Sequence, residues 1–216
     1  MPKPTVRMDR GIHTVHANNN TAPYTSSANC KPSWREQYES NTSREKFMRR
    51  RPDGVNIKVR KINIGFEETL PKRWFPVNGA PQMMCDVISL LFPAGERFFI
   101  DSVRHYKSQI TDPELQRDVA AFIAQESMHT QQHLKCNSLL KTHSKYAKMF
   151  ETVPFFILKA VKILFPARTQ LAVTCALEHF TALLSDQLLR NTHFEKHANP
   201  VYAKLWMWHA IEETEH

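Results

Sequence analysis

The chain has 216 residues, 42% of them hydrophobic, with a formal net charge of +8 when histidine is neutral. That length fits one ordinary domain plus a tail, and five glycines set against long apolar stretches favour helices over a turn-rich β fold. The basic excess gathers before the helical region, between Arg44 and Lys61, and reads as a solvated flank. No recognition motif accompanies it, so no specific nucleic-acid partner is expected.

Cys30, Cys85, Cys136 and Cys175 lie far apart with no C-x-x-C pair. This argues against a thiolate metal site or a disulfide framework and suits a reducing cytoplasm. The N-terminus lacks the apolar core of a signal peptide. No stretch reaches the ~18–20 uncharged apolar residues of a membrane span. A cytoplasmic location without a transmembrane segment is expected.

Residues 1–50 are rich in Asn, Thr, Ser and Pro and predict a disordered tail, because they cannot bury enough surface to offset their ordering entropy. Over 51–81 the chain predicts an extended arm. Val55, Ile57 and Val59 alternate with polar residues, and Ile62 and Ile64 resume the pattern after a shift, as in one or two short strands. LPKRWFPVNGAP then interrupts regular structure.

From Gln82 to His216 the period is helical. A first helix is expected over 82–109, kinked or begun by Pro93. Asp112 as N-cap, Pro113 as first helical residue and a Thr111-x-x-Glu114 capping box start a second, over 113–143. A short apolar helix over 154–164, a long one over 166–190, a loop over 191–200 and a last helix from Pro200 complete the chain. The expected class is all-α: a ferritin-like four-helix bundle with the tail and arm before it.

Four glutamates stand out. Glu96 lies in LLFPAGERFFI, Glu126 in AAFIAQESMH, Glu178 in LAVTCALEHFTALL, and Glu213 follows WMWHAI. Burying an unpaired carboxylate is expensive, so one per helix in such apolar settings suggests a shared cation. Glu126-x-x-His129 and Glu213-x-x-His216 place a carboxylate and an imidazole on one helical face, within reach of one ion. Two single glutamates with two Glu-x-x-His pairs are the donor set of dimetal carboxylate bundles. Heights agree. At 1.5 Å rise per residue, Glu96 and Glu126 stand roughly 24 and 21 Å from the Asp112 turn, and Glu178 and Glu213 roughly 18 and 20 Å from their connection.

His133 follows His129 by one turn and His209 precedes Glu213 by one, so each is an extra ligand or a partner behind the ligands. Glu212 is a further candidate, either in place of Glu213 or behind it. His179 points away from Glu178 and is read as structural. Phe98, Phe99, Phe122, Phe180, Trp206 and Trp208 are read as core, with a substrate-pocket wall as the alternative. No separate catalytic group or organic cofactor is indicated.

FPAGERFFIDSVRHY, DPELQRDVAAFIAQESMH and WHAIEETEH resemble the bacterial family of predicted metal-dependent hydrolases. The resemblance spans roughly residues 56–216. It implies a ferritin-like helical fold and metal ligands at Glu96, Glu126, His129, Glu178, Glu213 and His216. Proteins similar to this one continue past WHAIEETEH, so the resemblance also implies C-terminal truncation and an incomplete fourth helix.

Carboxylate and imidazole donors without thiolate suit two divalent ions, iron first, manganese or zinc as alternatives. Two irons sharing bridging glutamates lead to the expectation of O2-dependent oxidation of a small organic substrate. The alternatives are a hydrolase using a metal-activated water, and an inactive or metal-storage product. A homodimer is left open.

Overall fold

The computed structural model describes residues 56–77 and 79–216. The tail expected over 1–50 and the start of the arm, Val55 included, lie outside the described residues. Helices make up the fold: α1 Gly79–Tyr106, followed by a 3-10 turn Lys107–Gln109, α2 Pro113–His143, α3 Ala147–Leu164, α4 Ala167–Arg190, α5 Thr192–His197 and α6 Pro200–Glu213. α1 packs against α2, α3 and α4, and α4 lies against α6. None of the described helices is long and apolar enough to cross a membrane.

The arm forms no strand among the described residues, although its side chains alternate. Its backbone groups are taken instead by side chains of α2 and of the α6 end. Lys58 N–H donates to Glu215 Oε2 at 2.8 Å and Arg60 N–H to Glu212 Oε1 at 2.9 Å. The Gln125 and Gln132 amides donate to the Lys58 and Ile62 carbonyls. With those partners supplied, a neighbouring strand is unnecessary. Ile57 meets the cluster of Phe98, Phe99 and Phe122, while Ile62, Ile64 and Phe66 pack on the larger core.

The proline-broken segment beyond it is an anchor. Trp74 and Phe75 are buried, and Trp74 stacks on Tyr202 of α6 at 4.7 Å. Its indole N–H donates to Asp86 on α1, and its carbonyl accepts from Asn199 N–H, fixing the start of α6.

Helix starts follow local chemistry. At α2 the cap is Asp112, whose Oδ1 accepts from Glu114 N–H at 2.9 Å, with Pro113 in the first turn. At α6, Asn199 Oδ1 accepts from Val201 N–H ahead of Pro200. Three boundaries differ from expectation. α1 starts at Gly79 and runs through Pro93, α3 starts at Ala147 with Pro154 inside, and the connection read as a loop contains α5, started by the Asn191 side chain. Pro93 removes a helical N–H and so frees the Ser89 carbonyl; the Asn137 amide of α2 fills the gap at 2.9 Å.

Burial is uneven. α2 and α6 are buried over much of their length, whereas Ala147 is the buried residue of α3, and Thr174 and Ser185 those of α4. Phe180, read as core, is 62% exposed because it sits on the open side of α4. Phe98, Phe99, Phe122, Trp206 and Trp208 are buried.

Candidate metal centre

α1 contributes Glu96, α2 Glu126 and His129, α4 Glu178, and α6 Glu213 with His216 just past its end. Their donor atoms form overlapping groups, each with every atom within 4.8 Å of the others: Glu96, Glu126 and His129; Glu126, Glu178, Glu213 and His216; His129, His209 and Glu213. Glu126 and Glu213 each join the group that holds Glu178 and His216 to a group that holds His129. A further group joins Glu96, His133 and His209.

The contacts have the form of atoms aimed at shared points. His129 Nδ1 is 3.5 Å from Glu126 Oε1 and 3.4 Å from Glu213 Oε1. His216 Nδ1 is 2.8 Å from Glu178 Oε2 and 3.5 Å from Glu126 Oε1. Yet both Glu126 oxygens, Glu96 Oε1, Glu178 Oε1, Glu213 Oε2, His129 Nδ1 and His209 Nε2 are buried without an aligned hydrogen bond. Buried polar atoms are normally satisfied, so this concentration in one spot is a mark of the site. His216 as a whole residue is exposed, but its imidazole is only 3% accessible.

Burial, together with neighbouring carboxylates, raises Glu96 well above the usual range and also raises Glu126. Burial likewise lifts Glu178 to about 7, against the hydrogen bond from His216. Burial opposes ionisation of Glu213 too, but the His129 imidazole overcomes it, with His216 adding to the effect, and the carboxylate is held well below the usual range. For His129 the desolvation that would lower it is outweighed by Glu126, Glu212 and Glu213, which raise it well above normal; His216 is raised by Glu178 in the same way. His209, desolvated beside His129, falls to about 4. Three carboxylates raised in one cavity describe a cluster that resists its own negative charge.

Behind the donors stands a set of orienting residues. His129 Nε2 meets Glu212 Oε2 at 3.0 Å, and Glu212 Oε1 accepts from Arg60 on the arm. Glu212 therefore faces the far nitrogen of His129 and belongs to none of the four groups. His216 Nε2 meets Gln125 Oε1 at 3.0 Å, and Gln125 donates to Glu215, which pairs with Arg60. Thr130 donates to Glu96 Oε2 at 2.7 Å. A partner on the outer nitrogen fixes which imidazole nitrogen is free, as in metal-binding histidines generally. His133 contacts His209 and is buried; His179 is exposed and stands apart from the cluster.

Spacing signalled the carboxylates and imidazoles but not Arg60, Gln125 or Thr130. Arg60 sits some 150 residues from its partners, and Gln125 and Thr130 carry no motif.

The sequence model of a family described as "Predicted metal-dependent hydrolase" matches residues 58–216. The chain belongs to this family. The matched region begins at Lys58, the arm residue that binds Gln125 and Glu215, so it takes in the orienting residues of the arm as well as the helices. No curated protein and no solved structure gives a significant match. Membership in a metal-dependent family fits the His and Glu groups and leaves the metal's identity open.

Proposed function

We propose that the protein is a two-metal hydrolase whose ions are held by Glu96, Glu126, His129, Glu178, Glu213 and His216, with Glu126 and Glu213 shared between them. One observation carries this reading: buried carboxylate and imidazole atoms from four helices converge without hydrogen-bond partners of their own. Four carboxylates are offset by two divalent cations, which removes the self-repulsion that raises Glu96, Glu126 and Glu178. We read α1, α2, α4 and α6 as a ferritin-like four-helix bundle, with the arm as a brace rather than a separate unit.

When bound, such ions supply Lewis acidity and a water deprotonated near neutral pH. The protein's own part is placement. Arg60, Glu212, Gln125 and Thr130 hold the donor atoms in register, and Trp208 and Phe122 pack in T-shaped contacts with His129 and His216.

An open cleft of about 420 Å³ lies between α1, α4 and α6 and reaches His209. Its walls include Met84, Phe92, Leu177, Phe180 and Trp206, and no Asp, Glu, Lys or Arg lines it. That lining favours an uncharged, apolar substrate portion, such as the acyl side of an ester or amide.

Iron-dependent O2 chemistry is the second reading. The donor set alone favours it, since carboxylates and imidazoles suit iron as well as zinc or manganese; the family match favours hydrolysis. The full chain, loaded separately with Zn(II), Mn(II) and Fe(II), is assayed on p-nitrophenyl esters of graded acyl length and for O2 uptake. Hydrolysis that needs metal and improves with acyl length is the expected outcome. A ferrous protein that consumes O2 and a loaded protein that cleaves no ester would replace hydrolysis by oxidation.

A further inference from the structure

We infer that His209 is a seventh ligand, acting through Nε2 on the ion next to His129 and Glu213; the inference rests on the two-metal reading above. A chain of hydrogen bonds fixes the direction of every proton leading to that nitrogen. It starts at Pro93, which leaves the Ser89 carbonyl without its helical donor. The Asn137 Nδ2 donates there at 2.9 Å and also points at Glu151 Oε1, so the amide orientation is set by two acceptors. Asn137 Oδ1 must then accept, and it takes the Ser89 hydroxyl proton at 2.7 Å.

Ser89 has only that proton. In its 2.8 Å contact with His133 Nδ1, the imidazole is therefore the donor. A second proton on His133 would bury an imidazolium among Phe92, Trp206 and His209 with no carboxylate hydrogen-bonded to it, an uncompensated charge. His133 Nε2 is thus a lone pair, and the 2.8 Å contact to His209 Nδ1 makes His209 the donor.

His209 Nε2 is left as the end of the chain. It is buried, lies 2.9 Å from Glu213 Oε1, and has no aligned hydrogen bond in either direction. Two electron-rich atoms at that distance need something positive beside both. Ring packing holds the nitrogen in place: His209 stacks on His129 at 4.1 Å and 20°, and Phe92 covers its other face at 4.5 Å and 16°. The two rings present their nitrogens to one side, together with Glu213. The centre is consequently unequal, with two imidazoles on the His129 side and one on the Glu178 side.

The test is imidazole ¹⁵N NMR on the full chain, metal-free and after two equivalents of ¹¹³Cd(II). The expected result is a His209 ring protonated at Nδ1 in both states, with scalar coupling from cadmium to its Nε2 alongside couplings to His129 and His216. Couplings to His129 and His216 without one to His209 would overturn the inference and leave the two-metal reading standing. Absence of coupling to any imidazole would overturn both. His209→Phe keeps the stack and removes the nitrogen; one cadmium equivalent is expected to weaken about 10- to 100-fold while the other is retained. Unchanged affinity for both equivalents in a folded His209→Phe protein also overturns it.

Discussion

The two sides of the candidate centre use the same residue types but are supported differently. On the inner side, Glu96, His129 and His209 project from helix interiors, and each has a partner behind it: Thr130, Glu212 with Arg60, and His133 with Ser89 and Asn137. On the outer side, Glu178 comes from α4, whose surface is mostly open, and its chief contact is His216 itself. His216 follows the last turn of α6, and its outer nitrogen meets Gln125, which is tied through Glu215 to Arg60. Donors held by their own scaffold lose less freedom on binding, so the inner ion should bind more tightly and be the last to leave.

The largest effect should come from removing what the two sides share. Glu126 belongs to groups on both, so Glu126→Ala is expected to lose both metal equivalents, whereas Glu178→Ala loses one. Elemental analysis after dialysis against excess metal distinguishes them, with the helical circular dichroism retained in each. Two equivalents retained by Glu126→Ala would contradict a shared carboxylate.

Acid should act next, on the inner side through Glu96 and on the outer side through Glu178. Glu178 sits at about 7 in the metal-free protein against an ordinary 4.5. Its raised value means the folded, metal-free chain holds this proton more firmly than the unfolded chain. That contribution is complete below pH 4.5 and is lost as the pH rises through about 7. Metal binding runs the other way, because the proton must leave: outer-ion affinity is expected to fall about tenfold per pH unit below 7. The rise in Tm caused by metal should therefore grow from pH 5 to about 7.5 and then level off. A metal-induced Tm shift independent of pH over that window would show that Glu178 does not compete for a proton.

Much of this arrangement could be read from the sequence. The order of the long helices followed from apolar periodicity, and the Glu-x-x-His spacing singled out residues that lie in one cluster. What escaped were features set by tertiary contact. Alternation at Ile57, Ile62 and Ile64 carries the period of a strand, but the neighbours turned out to be glutamine and glutamate side chains. Phe180 has the composition of a core residue and an open position, because burial on α4 depends on what packs against it. Glu212 and Glu213 are indistinguishable as letters; one helical step of about 100° aims the first at the outer nitrogen of His129 and the second into the cluster.

A medium effect should follow from loosening the inner side without touching a donor. Arg60→Ala removes the arm's grip on Glu212 and Glu215, and Glu212→Gln removes the charge behind His129. Glu212→Gln is expected to weaken the tighter equivalent about 10- to 100-fold, as partners of ligating imidazoles generally do, whereas Arg60→Ala weakens both equivalents, because Arg60 also holds Glu215 and through it Gln125 behind His216. Isothermal titration with Mn(II) measures it; an effect confined to the weaker equivalent would reverse the assignment of sides.

The smallest expected change tests where α6 gets its register. Asn199 caps α6 with its side chain and ties the backbone to Trp74 through its N–H, while His209, Glu212 and Glu213 lie near the far end of the same helix. Asn199→Ala removes the side-chain cap but leaves the backbone tie, and a lost cap costs about 1 kcal/mol. If the inner side is held by its own partners, denaturant midpoints should drop by that amount while the tighter metal equivalent keeps its affinity. A parallel loss of both would mean that the donors of α6 are positioned from its start, through Trp74 and the cap, rather than by Arg60, Glu212 and the His133 chain at the site itself.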